Sequence, residues 1–151
     1  MIREFERYVE RGQAFIQAFA AAIGEENLSK ASEVLARVFA AMRQHLPFRE
    51  SVSVMECLPM AIRGLYMDGW TLGGPSPRLT TTDSFVREIA MGRTDETEVA
   101  AVDVAKAAIE TIAEYGAGLD RLPKGLRNLY YALARVSRRN DALMHDGYTF
   151  Q

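Results

Sequence analysis

The nine residues LPMAIRGLY (58–66) return as LPKGLRNLY (122–130), with five of nine positions identical and Ile62 matched conservatively by Leu126. Self-similarity of this kind marks a supersecondary unit that occurs twice, each copy burying its apolar face against the other. Upstream, VLARVFAAMRQHL (34–46) has a fainter echo in VAKAAIETIAEYG (104–116). The order is the same in both halves: a long amphipathic helix, a break, then Leu-Pro and a helix carrying Arg and Leu-Tyr. Pro59 and Pro123 suit a first helical position, where a missing N–H has no intrahelical partner to lose. Leu58 and Leu122 stand where they can staple onto Ile62 and Leu126 four residues on, and Leu65 and Leu129 continue that face.

Helical periodicity runs through nearly the whole chain. Ile2, Phe5, Val9, Ile16, Phe19, Ala20 and Ile23 recur at spacings near three and four until Gly24 ends the run. Asn27 or Ser29 can cap a second helix with the stripe Ala31, Val34, Leu35, Val38, Phe39, Met42 and Leu46, closed by Pro47. A short helix over 49–57 and another from Pro59 to Gly69 follow. TLGGPSPRLTT (71–81) is the one long loop. Thr82 or Asp83 can cap a helix bearing Phe85, Val86 and Ile89. TDETE offers Asp95 as a cap with Glu98 in the capping-box position. The helix after it is expected to bury Val99, Val102, Ala105, Ile109 and Ile112, and the last helix to start at Pro123 and reach Arg139 or beyond. No alternating strand pattern occurs. The reading is a single all-α domain over 1–151, a compact bundle of about six to eight helices in two related units. The first unit covers about 27–69 and the second about 95–139, with an N-terminal helix over about 2–23 packing on both.

This reading of fold and order resembles a known family. ECLPMAIRGLYMDGW, the Gly/Pro loop, DSFVREI and DRLPKGLRNLY resemble the bacterial family called domain of unknown function 2267. Its members carry a Gln-Leu-Pro, Leu-Arg-Gly, Tyr, Gly-Trp run and later a second Leu-Pro-Lys, Leu-Arg run. The likeness covers about 31–130. It implies a helical, two-repeat protein of the bacterial cytoplasm, and it implies no activity and no catalytic residues. This chain departs in having Cys57 where the first run usually has Gln, and in its tail beyond Tyr131.

Charge and cysteine usage narrow the partners. A formal net charge of −2 argues against a strong field drawing nucleic acid or an anionic membrane to the whole chain. One cysteine, Cys57, cannot form an internal disulfide, which fits a reducing cytoplasm. The charged start MIREFERYVE has no apolar signal core, and no run of about 18 apolar residues offers a membrane span. Within the chain the charge is uneven. Residues 95–120 hold seven acids and one lysine, and residues 121–139 hold six bases and no acid. Lys124, Arg127, Arg135 and Arg138 fall near one helix face. They either pair with the acidic helix, within the chain or across a dimer, or form an anion or nucleic-acid surface.

Few residues suggest chemistry. His45 and His145 do not stand at metal-ligand spacing with Cys57, and both suit helix ends, so no metal and no cofactor are expected. Cys57 reads as a buried thiol unless a cation such as Arg63 activates it. The loop GWTLGGPSPR lacks the Gly-Lys-Ser/Thr ending of a phosphate loop, and there is no nucleophile-elbow pattern. Arg63 and Arg127, four residues after each proline, are expected to brace helix ends or to meet a carboxylate such as Glu56 or Asp120. Trp70 is expected to pin the loop. The association of copies of the chain, or with another protein, is the leading functional expectation, with no catalytic residues. One alternative is a pocket lined by Arg63, Tyr66 and Trp70 for a small molecule. The other is anion or nucleic-acid binding through Lys124, Arg127, Arg135 and Arg138.

Overall fold

Asn27 illustrates how local chemistry sets the helix boundaries. Its side chain accepts a hydrogen bond from the Lys30 N–H (3.0 Å), satisfying one of the donors orphaned at the start of α2 (Leu28–His45). The preceding helix, α1 (Arg3–Ile23), ends on Gly24 at φ 72°, a left-handed residue that returns the chain toward α2. The computed structural model describes residues 1–71, 78–90 and 95–149, with side chains in the last span taken from 100 to 143. Within these residues lie α3 (Phe48–Glu56), α4 (Met60–Met67), α5 (Thr82–Ile89), α6 (Asp95–Tyr115), a 3₁₀ turn (Leu119–Arg121) and α7 (Lys124–Thr149). The all-α bundle expected from periodicity is the fold, with seven α-helices and no strand among the described residues.

Helix α6 lies at the centre. It packs against α1, α2, α5 and α7, and it buries Ala101, Val102, Ala105, Ala107, Ala108, Ile109, Ile112 and Ala113. A helix buried around so much of its circumference needs small side chains, and its alanines let neighbours approach on several faces. The rest of the core comes from Phe15 and Phe19 of α1, Leu35 and Phe39 of α2, Phe85 of α5, and Leu126 and Leu133 of α7, all fully buried. No described helix is long and apolar enough to cross a membrane.

Both Leu-Pro segments fold in a similar local way. Leu58, Ile62, Leu122 and Leu126 are buried. Pro59 and Pro123 sit one residue earlier than expected, just before the first helical residue, and their carbonyls accept the first helical N–H groups, those of Arg63 and Arg127. Their fixed φ favours this entry just as it favours the first turn. Two other boundaries move by a residue. The cap of α5 is Thr81, whose hydroxyl accepts from the Ser84 N–H while Ser84 Oγ accepts from the Thr81 N–H, closing a capping box. The third helix starts at Phe48 and ends at Glu56. The loop expected over 71–81 falls largely outside the described residues, as do the side chains of Asp95, Glu98, Val99 and His145.

One expectation about α1 fails. Ile2, Phe5 and Val9 continue the apolar stripe in sequence, yet they are 60%, 54% and 42% exposed. Burial along α1 starts late: its first buried residue is Gly12, followed by Phe15, Phe19 and Ala20.

Candidate functional site

The uncovered half of α1 leads into a groove of ≈ 610 Å³ between α1, α2 and α4. Val9, Gln13 and Ile16 form one wall, Leu28 the entrance from α2, and Gly64 and Leu65 the opposite wall. Its floor is thin because α1 and α4 cross closely: a Cβ built on Gly12 would stand 2.9 Å from Ala61 Cβ, so only glycine permits this approach. Gly64 has nothing within 4 Å of its own Cβ position, which leaves that wall open. At the groove, Leu28 and Val9 are 41% and 42% exposed. The lining is mainly apolar, with Gln13, Ser29, Ser32 and Asp68 as its polar members.

The residues considered for a small-molecule pocket do not line this groove. Tyr66 is fully buried, and its hydroxyl exchanges a 2.8 Å hydrogen bond with Ser51 Oγ. Burial pushes the Tyr66 phenol up to about 12, and the Ser51 hydrogen bond and nearby Arg43 offset this only in part. Trp70 is half-buried between Phe48 and Tyr66, with ring centroids 5.5 and 6.1 Å away, and so pins the chain leaving α4 onto the core. Arg63 points the other way. Its Nε donates to the Leu58 carbonyl (3.0 Å) and a terminal nitrogen to the Glu56 carbonyl (3.5 Å), bracing the end of α3. Tyr66 and Trp70 are therefore brought together and Arg63 is not.

The expected carboxylate partners are corrected. Glu56 meets Arg63 through its backbone carbonyl and not its side chain. Arg127 does not repeat the brace: among the described residues its buried Nε has no hydrogen-bond partner, and Asp120 is exposed. The reason lies upstream, where a single 3₁₀ turn replaces the α-helix whose end carbonyls Arg63 uses. The acid that matters at α7 is Glu50, from α3. Its Oε1 accepts the Gly125 N–H in the first turn of α7, a capping group supplied from another helix. Nothing in the sequence around Glu50 signals this, since its partner is 75 residues away. Another bracing contact missed in sequence is Arg43, which donates to the carbonyls of Tyr66 and Asp68 at the end of α4. Desolvation lowers its pKa, with nearby Tyr66 and Asp68 acting the other way.

His45 ends α2, and its Nδ1 makes a 2.7 Å hydrogen bond with the Leu79 carbonyl. That carbonyl can only accept, so Nδ1 carries the proton. The Leu79 N–H donates to the Gln44 carbonyl (3.1 Å), so the returning loop is tied to α2 twice. Cys57 packs on Gly116, where a Cβ would come within 2.6 Å of the Cys57 Cβ. Burial and the Glu56 charge raise its thiol pKa, outweighing Arg63, so the thiol form is favoured. Among the described residues no group of three His, Cys, Asp or Glu side chains could hold a metal ion.

The acidic and basic helices do pack together, but through neutral donors. Tyr130 donates to Glu110 (3.1 Å) and Ser137 to Asp103 (3.0 Å), while Glu110 also meets Lys106 (3.6 Å) on its own helix. Lys124, Arg135 and Arg138 remain exposed, and Arg127 is half-buried.

The chain matches the family described as uncharacterized conserved protein (DUF2267) over residues 12–129. No curated protein matches it with significant similarity.

Proposed function

The chain belongs to the DUF2267 family, whose description assigns no activity, and on that premise we propose that it works by association with a second copy of itself. The observation that carries this reading is the front half of α1, an amphipathic helix with no buried residue before Gly12. Exposed apolar stripes of this continuity mark interaction surfaces more often than solvated ones. The second copy is the occupant because Val9 belongs both to the stripe and to the groove wall. A two-fold arrangement lets each stripe enter the partner's groove, covering both surfaces with one isologous contact. Met1, Ile2, Phe5, Val9 and Leu28 are between 41% and 83% exposed. With ~200 Å² for a large side chain, they leave on the order of 500 Å² of apolar surface per copy. Two such patches with their polar rim approach the ~1,200 Å² at which specific interfaces begin.

The place of work we infer is the bacterial cytoplasm, a reading supported by the single unpaired thiol of Cys57. The two-unit organisation, about 27–69 and 95–139, is part of the same reading, supported by the matching burial of Leu58 with Leu122 and Ile62 with Leu126.

Sedimentation velocity tests the association. The wild type is expected to sediment as a dimer, and Phe5→Glu with Val9→Glu as a monomer with an unchanged circular dichroism spectrum. Both positions are exposed, so the substitutions spare the core. A wild type that remains monomeric up to submillimolar concentration overturns the proposal.

A further inference from the structure

The net charge of −2 conceals a partition. Residues 121–139 hold six bases and no acid, which leaves the rest of the chain at −8. These bases lie on the side of α7 away from the core. Leu126, Leu129, Leu133 and Ser137 are the buried positions. At 100° per residue, Lys124, Tyr131, Arg135 and Arg138 fall on the opposite face, with Asn128 and Arg139 beside them. All six are exposed, Tyr131 at 46%. The four central residues span about 21 Å of helix at 1.5 Å per residue.

A solvated basic face is ordinarily dotted with acids or neutralised by neighbouring helices. Here the acids that hydrogen-bond to α7 meet its neutral donors. Glu50 takes the Gly125 N–H, Glu110 takes Tyr130 and Lys106, and Asp103 takes Ser137. Among the described residues none of the outward cations of α7 forms an ion pair. Among the described residues the cations are therefore gathered, without ion pairs, and interleaved with a tyrosine and an asparagine.

We propose that the outward face of α7 binds the phosphate backbone of duplex nucleic acid without reading sequence. Three of the four outward cations, Arg135, Arg138 and Arg139, are arginines, whose planar fork matches phosphate oxygens better than an ammonium does. Tyr131 and Asn128 add neutral hydrogen-bonding groups of the kind that accompany such cations at phosphates. The face is a convex helix, and a helix of this diameter fits the major groove of a duplex. This inference stands apart from the self-association reading, since it uses a different helix.

The test is fluorescence anisotropy of an end-labelled DNA duplex titrated with the full chain at several salt concentrations. Four phosphate contacts give a log–log salt slope of about −3.6, or roughly a hundredfold loss of affinity between 50 and 200 mM salt. Arg135→Glu with Arg138→Glu is expected to lower affinity at least about tenfold and roughly halve the slope. Arg135→Lys with Arg138→Lys should retain the slope. Making the same charge reversal at Lys30 and Arg78, which lie on other elements, should change affinity far less. The proposal is overturned if the duplex does not bind at low salt, or if the α7 and control reversals weaken binding equally. It is also overturned if polyglutamate binds and the duplex does not, which would make the face a site for an acidic protein.

Discussion

Glu50 and Gly125 form a contact whose energetics can be separated by a double-mutant cycle. The Glu50 carboxylate caps the first turn of α7 from α3, so it joins two segments with no local connection. A hydrogen bond to a charged group contributes about 1.5–3 kcal/mol, and a carboxylate at a helix N-terminus about 0.3–1 kcal/mol through the dipole. Glu50 is only half-buried, which favours the lower end of both ranges. Glu50→Ala should therefore cost about 2 kcal/mol, and Glu50→Gln about 1 kcal/mol because the amide oxygen can still accept. In urea, with a slope of about 2 kcal/mol/M for a chain of this size, the Glu50→Ala midpoint should fall by roughly 1 M. Gly125 supplies the second arm. A Cβ there would stand 2.7 Å from Glu50 Oε1 and 3.1 Å from Leu46 Cδ2. Gly125→Ala should consequently destabilise the wild type by displacing the cap. In the Glu50→Ala background the obstruction is gone, the Leu46 side chain can shift, and alanine's helix propensity should make the same change neutral or stabilising by up to ~0.8 kcal/mol. The measurement is equilibrium urea unfolding followed by circular dichroism for all four proteins. Additive effects, or a Glu50→Ala midpoint equal to the wild type, would refute the capping argument.

Other outcomes follow from the same packing. Tyr66 binds its proton more tightly when folded, about 12 against 10, so this contribution is complete below pH 10 and is lost as pH rises through 12. The loss amounts to about 2–3 kcal/mol, and unfolding curves taken between pH 9 and 12 should show a shallower decline in Tyr66→Phe than in the wild type. Leu58→Ala should cost about 2–5 kcal/mol by denaturant unfolding, since the side chain is 3% exposed; a change too small to resolve would mean the site collapses around the gap. Arg63→Met keeps much of the stem and removes the donors to Leu58 and Glu56, so stability should fall by about 1–3 kcal/mol, with Arg63→Lys recovering only part of it. An unchanged thermal midpoint for Arg63→Met would show that the brace carries no weight.

The helices were legible in the sequence because each signal is local. Gly24, Asn27 and the two Leu-Pro steps act within one turn of the chain, so their chemistry can be read from their neighbours. The buried Leu58, Ile62, Leu122 and Leu126 were legible too, since a staple involves residues four apart. The roles of the arginines were legible only in part. That Arg63 braces a helix end follows from its place after Pro59, but which oxygen accepts depends on how α3 ends. Arg127 stands at the same distance after its Leu-Pro step and lacks the brace, because a 3₁₀ turn precedes it where α3 precedes Arg63.

What the sequence determined by itself is therefore the set of helices, their apolar faces and the segregation of six bases into 121–139. Periodicity, capping and charge are properties of adjacent residues and survive without a fold. Tertiary structure alone decided which apolar faces are covered. Ile2, Phe5 and Val9 carry the same pattern as Phe15 and Phe19, yet only the latter are buried. It also decided that Glu50 serves α7 and that the outward cations of α7 lie on its exposed face. Such outcomes depend on where one helix ends relative to another, a distance through space that the order of residues does not encode locally.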